Sequence, residues 1–204
     1  MCFFLTHVDW KIRGWKEMLR PDYEKIIQAV NFFARKSNNQ LTKLHILKLI
    51  FFADRYHMRM YGRMITNDDY LAMQYGPVAS ATKQVIEFIS IPDKYSEYAA
   101  AYLKPKNDHL IYSLQDVDRD VFSETDIEAL EVAWKIKEKV KKLVKYSHEF
   151  PEWKKHEEKL KVLSRSRMAL EDFFLQAPEK SEYCNADESR VQINKEFFTE
   201  AYIG

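Results

Sequence analysis

The sequence predicts a mainly α-helical protein carrying a small antiparallel β element of two or three strands. Three observations carry this. The 204 residues include only four glycines and six prolines, too few for a many-turned β architecture. Several segments repeat apolar residues at helical spacing and begin at recognisable caps. One short stretch, from Leu71 to Tyr75, in contrast alternates with a period of two, and Leu110–Leu114 offers a second strand. With 46% hydrophobic residues the chain can bury a core large enough to offset the entropy of ordering it.

Residues 1–20 read as an N-terminal leader with Phe and Trp but no clear period, and Met18 is an alternative natural start to Met1. From Pro21, placed as a first-turn proline, Ile26, Ile27, Val30, Phe33 and Ala34 fall at helical spacing. Ser37-Asn38-Asn39 closes that helix with turn-forming residues. Thr42 caps the next, which runs to about Met60 and is apolar around most of its circumference, as the central helix of a bundle would be. Gly62 suits its C-terminal cap. Between Ile65 and Tyr75 the alternation of Leu71, Met73 and Tyr75 predicts a short strand. Gly76-Pro77 is expected to break it and open a helix from Val78 to about Ser90. Pro92 and Pro105 bracket a stretch read as irregular, and Leu110–Leu114 as the second strand of a small hairpin. Ser123 and Asp126 form a capping-box-like start to a long helix with Leu130, Ala133, Ile136, Val140 and Leu143 as its stripe. Glu131–Lys135 and Glu138–Lys142 are expected as i,i+4 pairs. Pro151 stops that helix, a further amphipathic helix covers Glu152–Leu163, and Ser164–Leu175 adds a short last one. The domain division that follows is 1–20, 21–163 and 164–204, the last holding a C-terminal helix and a tail with six acids against three bases after Pro178.

Charge and composition narrow the function classes. Lys plus Arg total 32 against 31 acids, a net charge of +1, so the protein is not built primarily to coat nucleic acid or anionic lipid. No apolar run reaches the length of about 20 residues that a spanning helix needs, and no secretory leader is evident, so a cytoplasmic location is expected. Cys2 and Cys184 form neither a disulfide framework nor a metal-ligand pair. Six lysines between Lys135 and Lys145 could face a phosphate backbone, but without arginines or interleaved aromatics they read as a solvated face near a helix C-terminus.

Candidate chemistry is sparse. His45 and His57 lie about 120° apart on one helix and cannot converge on an ion; His148 and His156 are separated by Pro151, and no metal site is expected. Phosphate-binding glycine loops are absent from the sequence. Asp54 and His57, three apart, are neighbours on one helical face, where an aspartate can fix a histidine tautomer. No nucleophile is near them in sequence, and a buried polar pair serves a core equally well. A hydrolase using Asp54 with His57 or His148 is therefore kept as an alternative.

Three segments in order resemble one family. They are Lys43–Asp54 with Lys48; Tyr61–Asp68 with Gly62, followed by Ala72 and Tyr75-Gly76-Pro77-Val78; and Ser147-His148 followed by Pro151-Glu152-Trp153. Together they resemble the Panacea domain, also called SocA-like or phage-associated GepA-like, over about Asp22–Lys161. That resemblance implies a mostly helical antitoxin of a toxin–antitoxin operon, without a catalytic site or cofactor. Its partner would be a co-encoded toxin, bound directly or, as an alternative, delivered to the ClpXP protease. Lys48, Asp54, Gly62, Tyr75, Gly76, Pro77, Val78, His148 and Trp153 then read as scaffold joining helices to the β element, with direct toxin contact as the alternative. Exposed aromatics would anchor a partner, and the candidates are Tyr95, Tyr98, Tyr102, Phe197, Phe198 and Tyr202, with core packing as the competing explanation of each.

Overall fold

The computed structural model describes residues 20–176 and 187–202; the leader before Arg20 and the acidic stretch 177–186, with Cys2 and Cys184, lie outside the described residues. Helix α1 (Tyr23–Lys36) starts two residues later than its proline suggests. Asp22 is the cap, so Pro21 precedes the helix, and the Asp22 carboxylate accepts from Lys25 N at 3.1 Å. Helix α2 (Lys43–Tyr61) follows the sequence closely. Thr42 accepts from the His45 amide, and Gly62 closes the helix in the left-handed region at φ 73°. It is buried on nearly every side and packs against α5, β2 and α8, defined below.

The β elements depart from expectation. Strand β1 (Tyr70–Met73) pairs antiparallel with β2 (Gly76–Ala79) across a two-residue turn, Gln74-Tyr75, in the register Leu71↔Val78. Gly76-Pro77 thus lies in a strand and does not open a helix. Helix α3 (Ser80–Glu87) begins only after it, and Asp68 supplies its cap from a distance, accepting from Ala81 N and Thr82 N. A proline suits the first turn of a helix and a strand alike when no ladder bond needs its nitrogen, so the local signal was ambiguous. The stretch after Pro92 is helix α4 (Asp93–Tyr102), not irregular, although it buries only Ala99. Strand β3 (Leu103–Pro105) is the partner of β4 (Ile111–Ser113), so the second expected strand does not pair with the first.

Helix α5 (Glu124–Lys139) carries the expected capping box between Ser123 and Asp126. It ends inside the lysine run: Val140 is extended, and a separate helix α6 (Leu143–Ser147) follows. The lysines therefore do not share one helical face. Glu131 is met by Lys36 of α1 at 2.5 Å, and Glu138 accepts from Trp134 at 2.8 Å. The helix expected over Glu152–Leu163 is only α7 (Pro151–Lys154), then turns and a 3-10 turn at Lys159–Lys161. Strand β5 (Arg165–Arg167) adds to β1, giving the sheet order β2-β1-β5, and a 3-10 turn at Leu170–Phe174 follows. Helix α8 is Glu188–Tyr202.

One core serves all of these elements. Phe51 of α2 sits at its centre, with Phe52, Tyr70, Phe150 and Phe173 rings 5.2–5.9 Å away. Among the described residues no helix is long and apolar enough to cross a membrane. Truncating this hub, Phe51→Ala, should cost about 3–5 kcal/mol. Urea unfolding should show the midpoint falling at an unchanged m-value.

Candidate functional site

The three motif segments, far apart in sequence, meet around Lys48. Its aliphatic stem runs through the core from α2, and its buried Nζ donates to the Pro77 carbonyl at 2.5 Å. Burial disfavours the charged ammonium and lowers its pKa to about 7. Gly76 packs against the same amine at φ 96°. A Cβ there would lie 2.5 Å from Ser147 Oγ and 3.0 Å from Lys48 Nζ, so both backbone angle and space demand glycine. The Ser147 hydroxyl donates to Val144 O at 2.7 Å. Next along the chain, His148 stacks on Trp153 with ring centroids 3.9 Å apart and planes 5° from parallel. The Trp153 indole N–H donates to Met73 O at 3.0 Å, tying α7 to the hairpin. Burial, then the charge of Lys48, lower the His148 pKa, while the Tyr75 backbone acts in the opposite direction. Val78 and Pro77 are buried beside them, but Tyr75 is 61% exposed at the hairpin tip.

A second node belongs to Asp54. Its fully buried carboxylate accepts from Ile65 N at 2.8 Å, Thr66 N at 3.1 Å, Tyr70 OH at 2.8 Å and the Thr66 hydroxyl. Burial raises its pKa, and these four donors pull it back. His57 turns the other way. Its Nδ1 faces only the Arg63 carbonyl at 2.8 Å, and its Nε2 lies 3.0 Å from Thr125 Oγ1 and 3.1 Å from Asp126. The expected Asp54–His57 pair therefore does not form, because neighbouring positions on a helix face different packed elements. Asp126 also takes Lys25 at 2.7 Å and Arg63 at 2.9 Å. Burial pushes its carboxyl up, but the His57 and Lys25 bonds, the Ser123 amide and the Arg63 charge outweigh that and hold it well below the ordinary range. Sequence reasoning used Asp126 only as a cap and missed its two cationic neighbours, Lys25 and Arg63, and its contact with His57. It also missed the buried Arg55–Glu152 pair at 2.6 Å, since 97 residues separate the partners.

The aromatic candidates divide. Tyr95 is half-buried and stacks on Tyr23 at 5.1 Å. Tyr98 accepts from Gln28 at 2.8 Å and donates to Asp118 at 3.3 Å, and its ring lies 4.8 Å from Tyr102. Both Tyr98 and Tyr102 are half-buried. Phe197 is exposed, whereas Phe198 is 5% exposed and packs on Phe174 at 5.6 Å. Of the two readings of Phe198, surface anchor and core packing, the structure has the second: seven residues from buried Val191, it lies on the inward face of α8. Tyr202 ends α8, and its side chain lies outside the described residues. Among the described residues no group of three or more His, Cys, Asp or Glu is placed to hold a metal ion.

The segments that converge on Lys48 are those covered by a family description, Antitoxin SocA-like, Panacea domain, which matches residues 46–154. The chain belongs to this family. No curated protein and no solved structure gives a match. Within the Panacea-domain span, Lys48, Asp54, Gly76, Pro77 and Val78 are all buried, so its motif positions mostly face inward.

Two outcomes test this geometry. Because the folded pKa of Lys48 lies below its unfolded value near 10.5, the unfolded chain binds more protons between about pH 7 and 10.5. Stability should therefore rise with pH across that window, by up to about 1.4 kcal/mol per pH unit, and be flat in this respect below it. Urea unfolding of Lys48→Met should lack that part of the rise. Gly76→Ala should lose about 2–4 kcal/mol from the positive φ and the clash with Ser147, read as a lower melting temperature.

Proposed function

We propose that this chain is an antitoxin that neutralises a toxin encoded beside it by binding it directly. The observation that carries the reading is the match of residues 46–154 to an antitoxin domain family. The disposition of polar groups supports it. The acid–base candidates Asp54 and His57 are both buried and spend their hydrogen bonds on the scaffold, which suits a protein acting through its surface. Inhibition is then occlusion. An interface of about 800 Å² on each partner is enough to cover an active site or a substrate channel.

The mechanism asks for a rigid body rather than a reacting group. Buried ion pairs and the Lys48 knot hold the helices and the hairpin in one arrangement, so little ordering entropy is lost when the partner docks. The test is co-expression with the product of the adjacent gene. Growth arrest should be relieved, and the two proteins should co-purify in fixed stoichiometry with toxin levels unchanged in a pulse-chase. Unrelieved arrest would remove the proposal; relief accompanied by toxin loss that requires ClpXP would replace masking with delivery.

A further inference from the structure

We propose that the open edge of β5, together with the cleft on the outer face of the sheet, receives an extended acidic segment of the toxin. This rests on the antitoxin reading above and gives it a contact surface.

Three independent features place the site. The first is the ladder. Met168 N donates to Tyr70 O, and Ser166 lies opposite Ala72, so the hydrogen-bonded positions of this antiparallel pair are 168 and 166. By alternation the backbone N–H and C=O groups of Arg165 and Arg167 point away from β1. Among the described residues no strand pairs with that side of β5, because the sheet order ends there. An unpaired strand edge is a template for an added strand, and main-chain bonds supply affinity without demanding a particular sequence.

The second feature is the cleft. A cavity of about 230 Å³ has Leu71, Met73 and Val78 of the sheet on its floor. Lys83, Ile89 and Arg165 stand at its walls. Ile89 is 59% exposed, and Val162, just before the strand, is 85% exposed. A strand added at the β5 edge lies about 10 Å from β1, so the side chains it presents at every second residue on this face meet the Arg165 side of the cleft rather than its floor.

The third feature is charge. Arg167 meets Asp69 at 2.8 Å and Lys83 meets Glu87 at 3.5 Å, but Arg165 has no carboxylate within ion-pair distance among the described residues. A second copy of β5 pairing antiparallel about Ser166 would set Arg165 against Arg167, and like charges directly opposite are unfavourable. The edge therefore rejects itself and favours a strand bearing Asp or Glu.

The experiment compares complexes of the full chain with the adjacent-gene product. Arg165→Pro deletes an outward N–H while leaving the β1 ladder intact, and Arg165→Glu reverses the charge. Both should weaken the complex about tenfold or more by calorimetry, whereas Lys104→Glu on distant β3 should not. Independently, hydrogen exchange of the wild-type chain should show the Arg165 and Arg167 amides becoming protected on complex formation. Wild-type affinity in both variants, unprotected edge amides, or a β5-mediated homodimer in light scattering would each overturn the inference while leaving the antitoxin reading in place. If the wild-type chain forms no complex with that product, the antitoxin reading falls first and this surface with it.

Discussion

Burying five ionisable side chains on a single helix is the constraint around which the fold is arranged. Lys48, Asp54, Arg55, His57 and Arg59 of α2 are at most 3% exposed. A charged or polar group removed from water must find partners or lose several kcal/mol. The five reach different elements, although Arg55 and Arg59 also share the Leu175 carbonyl. Lys48 reaches β2; Asp54 reaches the loop before β1; Arg55 reaches Glu152 in α7; His57 reaches the start of α5; Arg59 reaches Phe174 O at 2.5 Å and Glu188 of α8 at 3.0 Å. The central helix is thus a polar hub inside an apolar core, and its partners dictate where the surrounding elements sit.

Such a hub favours specificity of arrangement over raw stability. Replacing buried ion pairs with well-packed apolar residues is often neutral or stabilising, whereas breaking one partner of a pair is costly. In this chain the pairs are cross-links: Arg55–Glu152 ties the family span to its own C-terminal edge, and Arg59–Glu188 ties it to the helix beyond. A protein that masks another by shape gains from one fixed surface. The hairpin tip, the cleft and the β5 edge are presented from that fixed body, while the motif positions beneath them are occupied with holding it.

Much of the helical framework was legible because its signals are local. Thr42 and Gly62 bound α2 through cap chemistry that acts within a few residues, and Ser123 with Asp126 starts α5 in the same way. The hairpin and α4 were not legible for a related reason. Gly76-Pro77 fits two local conformations, and only pairing with Met73 and Ala72 selects the strand. Helix α4 buries little beyond Ala99, so it has no apolar stripe to announce it. Phe198 read equally as a surface anchor or as core, and only the docking of the Val191 and Phe198 face of α8 decides for the core.

By itself the sequence determined the mainly helical class, the central buried helix with its caps, and the family, because periodicity, capping and motif order are all carried by nearest neighbours along the chain. Only the tertiary structure decided which partner each buried charge takes, which strands pair, and which edge is left open. Those outcomes join residues tens of positions apart, and their free energies exist only once water has been excluded between them.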